Sequence, residues 1–203
     1  KTLTERNPNP YGGEPLYNLG LSLKYQGKTE EAYDFFYKAC WNAAWQDAGY
    51  YSLAQLSVAR GDWEEALYEI DKSLVRNWHN LRGRHLKATI LRHLGRKEEA
   101  LSLIEESLRM DRFNFGCGFE KFLLTGNDAD WQTLVSLMRP EAHNYEELAL
   151  DYASAGCWEE ALDVVDKAIY MNVLGQNMLH YYKSWFLICL DRKEEALAAI
   201  REA

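Results

Sequence analysis

The chain has 203 residues, 47% of them hydrophobic, with a formal net charge of −8. That apolar content is enough for a substantial core, and the acidity works against nonspecific binding to nucleic acid or to an anionic membrane. No apolar run is long enough to span a bilayer and no leader pattern opens the chain. Cys40, Cys117, Cys157 and Cys189 stand far apart without metal-ligand spacing, so buried, reduced thiols and a cytoplasmic setting are expected.

Residues 1–12 carry Pro8 and Pro10 and end at the Gly12-Gly13 pair, the composition of a linker. A first helical unit is predicted over 13–46 from Leu16-Tyr17-Asn18-Leu19-Gly20, Leu23, Gly27, Ala32, Phe36 and Ala39. It contains Gly27-Lys28-Thr29-Glu30-Glu31-Ala32, a motif that returns at 61–66, 95–100 and 156–161, and at 191–196 with Asp191 in place of the glycine. Ala32, Ala66 and Ala100 are 34 positions apart, the period of a helix-turn-helix repeat array. Within the motif, glycine permits the left-handed turn that closes one helix. The two glutamates fall at the positive end of the next helix dipole, and alanine lets two helices approach closely.

Further units follow at 47–80 and 81–114. The stretch 115–142 is a shorter, degenerate unit, with the stripe Phe115, Phe119 and Phe122, a break at Gly126, a second stripe of Trp131, Leu134, Val135 and Met138, and a stop at Pro140. Regular units resume at 143–174 and 175–203, the last read as truncated. The chain opens without Met and stops at Ala203 in a predicted helix, so a piece of a longer protein is expected, with neighbouring units or domains outside it.

The spacing of these large, Leu-Gly, Gly, Ala, aromatic and Ala positions closely resembles the tetratricopeptide repeat. The helix-ending proline common in that family is replaced by Ala44, Trp78 and Arg112. The resemblance implies an all-α right-handed superhelix of about six helical hairpins, a tetratricopeptide solenoid. The run 38–50, with 73–77 and 113–116, also resembles the C-terminal repeat region of large bacterial proteins that begin with an uncharacterised β-rich domain, some of them encoded near carbohydrate-utilisation genes.

In such arrays the first helix of each unit lines a concave groove. Mapped onto this sequence, the groove positions are Tyr17, Leu21, Lys24 and Tyr25, then Tyr51, Gln55 and Val58, then Arg82, His85, Thr89, Arg92 and His93, with Glu146, Leu150, Tyr181, Trp185 and Ile188 further along. Aromatic rings beside guanidinium groups suit an extended peptide. The clamp by which some arrays grip a chaperone's C-terminal carboxylate is missing: Tyr17 and Leu21 stand where it has lysine and asparagine, Ser52 where it has asparagine, and of its basic pair only Arg82 matches, with Leu86 at the other position.

No catalytic residue, metal site or cofactor is indicated. His85 and His93 are eight positions apart, too far to share a metal, and the repeated Glu-Glu pairs have a structural reason. The expected function is a non-catalytic interaction or scaffold module. It would bind a protein or peptide segment, or the parent protein's flanking domain, and neither nucleic acid nor membrane. The alternative is an accessory carbohydrate-binding or substrate-presenting surface built on Trp41, Trp45, Tyr50, Trp63 and Trp78, although Trp63 falls at a packing position of the repeat and Trp45 and Trp78 are expected to cover the core.

Overall fold

The computed structural model describes residues 12–203; all but the last residue of the expected linker lies outside them. Among the described residues the regular structure is helical: α1 (Glu14–Tyr25), α2 (Thr29–Ala39), α3 (Gln46–Arg60), α4 (Trp63–Arg76), α5 (Leu81–His93), α6 (Lys97–Met110), α7 (Phe115–Thr125), α8 (Asp128–Met138), α9 (Ala142–Ser154), α10 (Trp158–Tyr170), α11 (Asn177–Cys189) and α12 (Lys193–Glu202). A single 3₁₀ turn, Ala43–Trp45, precedes α3. None of the described helices is long and apolar enough to cross a membrane.

The helices alternate as first and second members of hairpins, and the repeated motif sits at each turn within a hairpin. Gly27, Gly61, Gly95 and Gly156 all have positive φ, and Asp191 reaches φ 59° where the last motif lacks glycine. Each Glu-Glu pair lies in the first turn of a second helix. The alanines that follow, Ala32, Ala66, Ala100, Ala161 and Ala196, are buried. Where the family's proline is missing, asparagine caps the incoming helix: Asn80 accepts from the Gly83 amide at 3.0 Å and Asn114 from the Cys117 amide at 3.2 Å.

The chain forms two compact units, 1–95 and 96–203; the division falls between α5 and α6, inside the third repeat. In unit 1, Leu23, Ala32, Phe36, Cys40, Leu53 and Leu56 form the core, with Tyr17, Leu19, Leu21 and Tyr50 at its margin. Trp45 packs its ring 5.0 Å from that of Tyr17, closing the end of the first hairpin. The next junction is polar. Asp47, in the first turn of α3, accepts from Ser73 Oγ at 2.8 Å, Asn77 Nδ2 at 2.8 Å and Asn80 Nδ2 at 3.2 Å. One carboxylate therefore ties α3, the end of α4 and the cap of α5 together.

In unit 2 the degenerate stretch is a true hairpin, α7–α8. Phe119 is buried among Phe122, Trp131 and Tyr152, and Tyr152 Oη donates to the buried Glu120 carboxylate at 2.8 Å. The break at Pro140 is held by main-chain pairing. The Leu174 amide donates to the Pro140 carbonyl at 2.8 Å and the Ala142 amide to the Leu174 carbonyl at 3.0 Å, forming an isolated parallel bridge.

That bridge fixes Arg139 at φ 59° and ψ 170°, a region populated almost only by glycine and costing other residues about 1–3 kcal/mol. Proline at 140 bars the α conformation for residue 139, and the bridge selects the strained alternative. Arg139 is exposed, so little packing is lost on truncation. Arg139→Gly is expected to stabilise the protein by about 1 kcal/mol, the strain relieved less the extra unfolded-chain entropy of glycine. A lowered melting temperature in circular dichroism would show that Arg139 instead contributes a contact.

Two sequence expectations are corrected. Cys40, Cys117 and Cys157 are buried, but Cys189, the last residue of α11, is exposed, since the end of a helix has fewer neighbours than its middle. Trp78 does not cover the core: it is 42% exposed and lies under the fully buried Arg84, whose guanidinium carbon is 4.2 Å from the ring centroid. The aromatic ring shields a buried cation, an interaction worth about 2 kcal/mol when desolvated.

Candidate functional site

The first helices of unit 1, α1, α3 and α5, carry the predicted groove positions. α1 and α3 are joined directly: Lys24 Nζ donates to Gln55 Oε1 at 2.7 Å and Ser52 Oγ to Tyr17 Oη at 3.3 Å. α3 in turn packs on α5. Burial holds the Lys24 ammonium well below the usual lysine range, at about 8.

The structure divides these positions into two layers. Tyr25 and Arg82 are exposed, and Tyr17, Leu21, Lys24, Tyr51 and Arg92 are half-buried. His93 keeps an exposed edge, yet its ring lies flat on Trp63, with centroids 4.0 Å apart and an interplanar angle of 5°. Gln55, Val58, His85 and Thr89 are buried, at 7%, 4%, 4% and 1% exposure, so they form the floor and not the open surface expected of groove residues. The cause is α3. Ser52 to Val58 are buried without interruption because α2, α4 and α5 all pack against this helix, and the middle of a helix so covered keeps no solvent stripe.

Periodicity gave no sign of a polar cluster on the opposite side of α3. Glu69 of α4 is 2% exposed. Its carboxylate accepts from Tyr33 Oη of α2 at 2.7 Å and from Ser57 Oγ of α3 at 2.7 Å. Arg60 completes the group, donating to Ser57 Oγ at 3.3 Å and stacking 4.8 Å from the Tyr33 ring centroid. Burial raises the Glu69 pKa, and the bonds from Ser57 and Tyr33 oppose the rise. Tyr33 is raised too, by burial first and by Glu69 second. In sequence, Glu69 is one of four acidic residues in α4, with nothing local to set it apart.

Unit 2 carries a separate set. Tyr181, Trp185 and Ile188 of α11 are exposed at 50%, 44% and 56%, joined on the same helix face by Met178. Trp185 packs edge-on to Trp158, with centroids 5.8 Å apart. On α9, Leu150 and Glu146 are half-buried, and Glu146 lies 3.7 Å from His143 Nδ1. No group of three or more His, Cys, Asp and Glu among the described residues is placed to hold a metal ion. Of the five aromatics considered as a sugar platform, Trp45 and Trp63 are engaged with Tyr17 and His93.

Two family models, both of the tetratricopeptide repeat, match the chain, one at residues 13–40 and 81–114 and the other at 48–67. No curated protein matches it. Among solved structures, it is similar to YrrB, a TPR protein with an unusual peptide-binding site, at 20% identity and a TM-score of 0.58, covering 95% of this chain and 96% of that one. A tetratricopeptide repeat protein from Parabacteroides merdae gives 19% identity and a TM-score of 0.61, over 98% and 80% of the two chains. The thermophilic TPR protein TTC0263 from Thermus thermophilus gives 20% and 0.57, over 92% and 100%. At these identities the likeness is one of fold.

Proposed function

Since the chain is a tetratricopeptide repeat protein with the all-α hairpin architecture of that family, an interaction module by class, we propose that it holds an extended segment of another protein, or of a flanking domain, on the first-helix face of unit 1. The observation that carries this reading is the two-layered face itself. Gln55, Val58, His85 and Thr89 form a packed floor, and Tyr17, Lys24, Tyr25, Tyr51, Arg82 and Arg92 rise from it toward solvent. Side chains fixed by a rigid floor lose little entropy on binding, and aromatic and arginine residues dominate binding energy at interfaces. The peptide-binding site of YrrB, which has a similar fold, fits the same use. The mechanism is presentation of side chains, with no bond made or broken.

The test compares the wild-type fragment with Tyr25→Ala/Arg82→Ala/Arg92→Ala as baits in a pull-down from the source organism. These positions avoid the buried His85, whose loss would damage the fold. A protein retained by the wild type and lost by a variant of unchanged helical circular dichroism is the expected result. Equal retention by both baits would move the site off this face.

A further inference from the structure

Exposed apolar residues are unevenly shared among the first helices. Among the described residues α1 exposes Tyr25, and α3, α5, α7 and α9 expose no large apolar side chain. α11 exposes four, Met178, Tyr181, Trp185 and Ile188, each about half open to solvent. They stand three, four and three positions apart, the spacing of a heptad seam, so they form one stripe along about three helical turns. The ring at the centre of the stripe is held in place: Trp185 meets Trp158 edge-on and lies against Phe186 and Tyr182. An apolar stripe that the fold braces and leaves open marks an interaction surface.

The surroundings of the stripe are acidic. Residues 141–203 contain 5 Lys and Arg against 12 Asp and Glu, so an excess of seven negative charges lies in the last two hairpins. Between Pro140 and Asp166 the chain has eight carboxylates and no Lys or Arg. That stretch forms α9 and most of α10, and both helices pack against α11. Internal pairing does not remove the excess. Lys167 holds Asp163, Lys183 holds Asp166, and Arg192 holds Glu195 and approaches Glu159, but five cations cannot neutralise twelve carboxylates, whichever ones they engage. The stripe therefore lies in a negative potential that attracts cationic partners. A second copy docked through α11 would bring two such excesses together, and juxtaposed like charge opposes association.

We propose that α11 docks a basic amphipathic helix of another protein, with the apolar seam of that helix on Met178, Tyr181, Trp185 and Ile188 and its Lys and Arg in the negative potential of α9 and α10. The site lies on unit 2 and does not rest on the unit 1 face. The spacing selects a helix over an extended segment. Two packed helices repeat their contacts every 3.5 residues along both partners, so side chains recur along the seam about every 5 Å. An extended strand presents same-side residues about 6.6 Å apart, out of step with that seam. Trp185 and Tyr181 supply the large contact area typical of binding hot spots, and Met178 adapts to the shape of the incoming side chain. Basic residues flanking the partner's seam lay their stems along the apolar rings and keep their charged ends in water.

Three fluorescein-labelled, capped peptides of about three heptads, added to the 203-residue chain, test the idea by anisotropy. The first has leucine at the seam positions and lysine and alanine elsewhere. The second has the same composition in an order that breaks the seam, and the third has glutamate in place of lysine. The first is expected to bind at least tenfold more tightly than either of the others and to gain helical circular dichroism on binding. Its affinity should fall at 0.5 M salt, where screening shortens the reach of each charge. Met178→Ser/Ile188→Ser removes the two most open seam residues, and with unchanged circular dichroism it should weaken the first peptide at least tenfold. Equal binding of the seam-broken peptide would reduce the effect to charge alone and overturn the proposal. Equal or tighter binding of the glutamate peptide, or no binding of the first peptide, would also overturn it. Binding lost in Tyr25→Ala but kept in Met178→Ser/Ile188→Ser would move the peptide to the unit 1 face. Self-association of the chain, abolished by Met178→Ser/Ile188→Ser, would overturn it in favour of a second copy.

Discussion

Replacing Glu69 with alanine is expected to cost about 3 kcal/mol, because it strands Tyr33 Oη and the fully buried Ser57 hydroxyl without their shared acceptor. Glu69→Gln keeps an acceptor and is expected to cost less, and it changes the pH profile in a defined sense. The pKa of Glu69 is raised in the folded protein by burial, so the folded state binds its proton more tightly than the unfolded chain does. The contribution of Glu69 to stability is then full below the ordinary glutamate value of 4.5 and is lost as the pH rises through the folded value. Urea denaturation of the wild type and Glu69→Gln from pH 4 to pH 8 should therefore show the variant gaining on the wild type as the pH rises. A difference that stays constant with pH would mean that Glu69 titrates in the folded protein as it does unfolded.

Gly20→Val is expected to cost about 3 kcal/mol, the upper range for overpacking a core. A Cβ placed on Gly20 would lie 2.7 Å from Cδ1 and Cε1 of Phe36, and Phe36 is fully buried, so the ring has no open space to enter. Gly20→Ala gains about 1 kcal/mol of helix propensity and still loses about 1 kcal/mol net, because the same ring must shift. Phe36→Leu removes the opposing atoms and costs stability on its own. In a double-mutant cycle by chemical denaturation, Phe36→Leu should recover at least about 1 kcal/mol of the Gly20→Val loss. Strict additivity would show that Gly20 is required for another reason.

Much of the fold was legible because its determinants are local and repeated. Glycine at positive φ, two acidic residues in a first turn and an alanine between helices recur at fixed spacing, and each acts through backbone conformation or side-chain size alone. The hairpin α7–α8 was readable in the same way, from Phe115, Phe119 and Phe122 on one stripe and Gly126 after them. The candidate site was half legible. The mapped positions do lie on the first helices of unit 1, but Gln55, Val58, His85 and Thr89 are buried while Tyr25 and Arg82 are exposed. Repeat position assigns a residue to a helix face; it does not say whether neighbouring helices cover that face.

The sequence by itself determined the repeat, the turns at the repeated glycines and the close-packed alanines, all set by residues within about one helical turn of each other or by the 34-residue period. Only the tertiary structure decided that Ser52 to Val58 of α3 are covered by neighbouring helices, that Asp47 and Glu69 each serve donors from other helices, and that Arg139 is strained beside the bridge that Pro140 and Ala142 make to Leu174. The physical reason is distance along the chain. Glu69 and Asp47 draw their donors from other helices and their caps, 12 to 36 positions away, and the cost of desolvating a carboxylate is met only where the folded backbone brings those donors together.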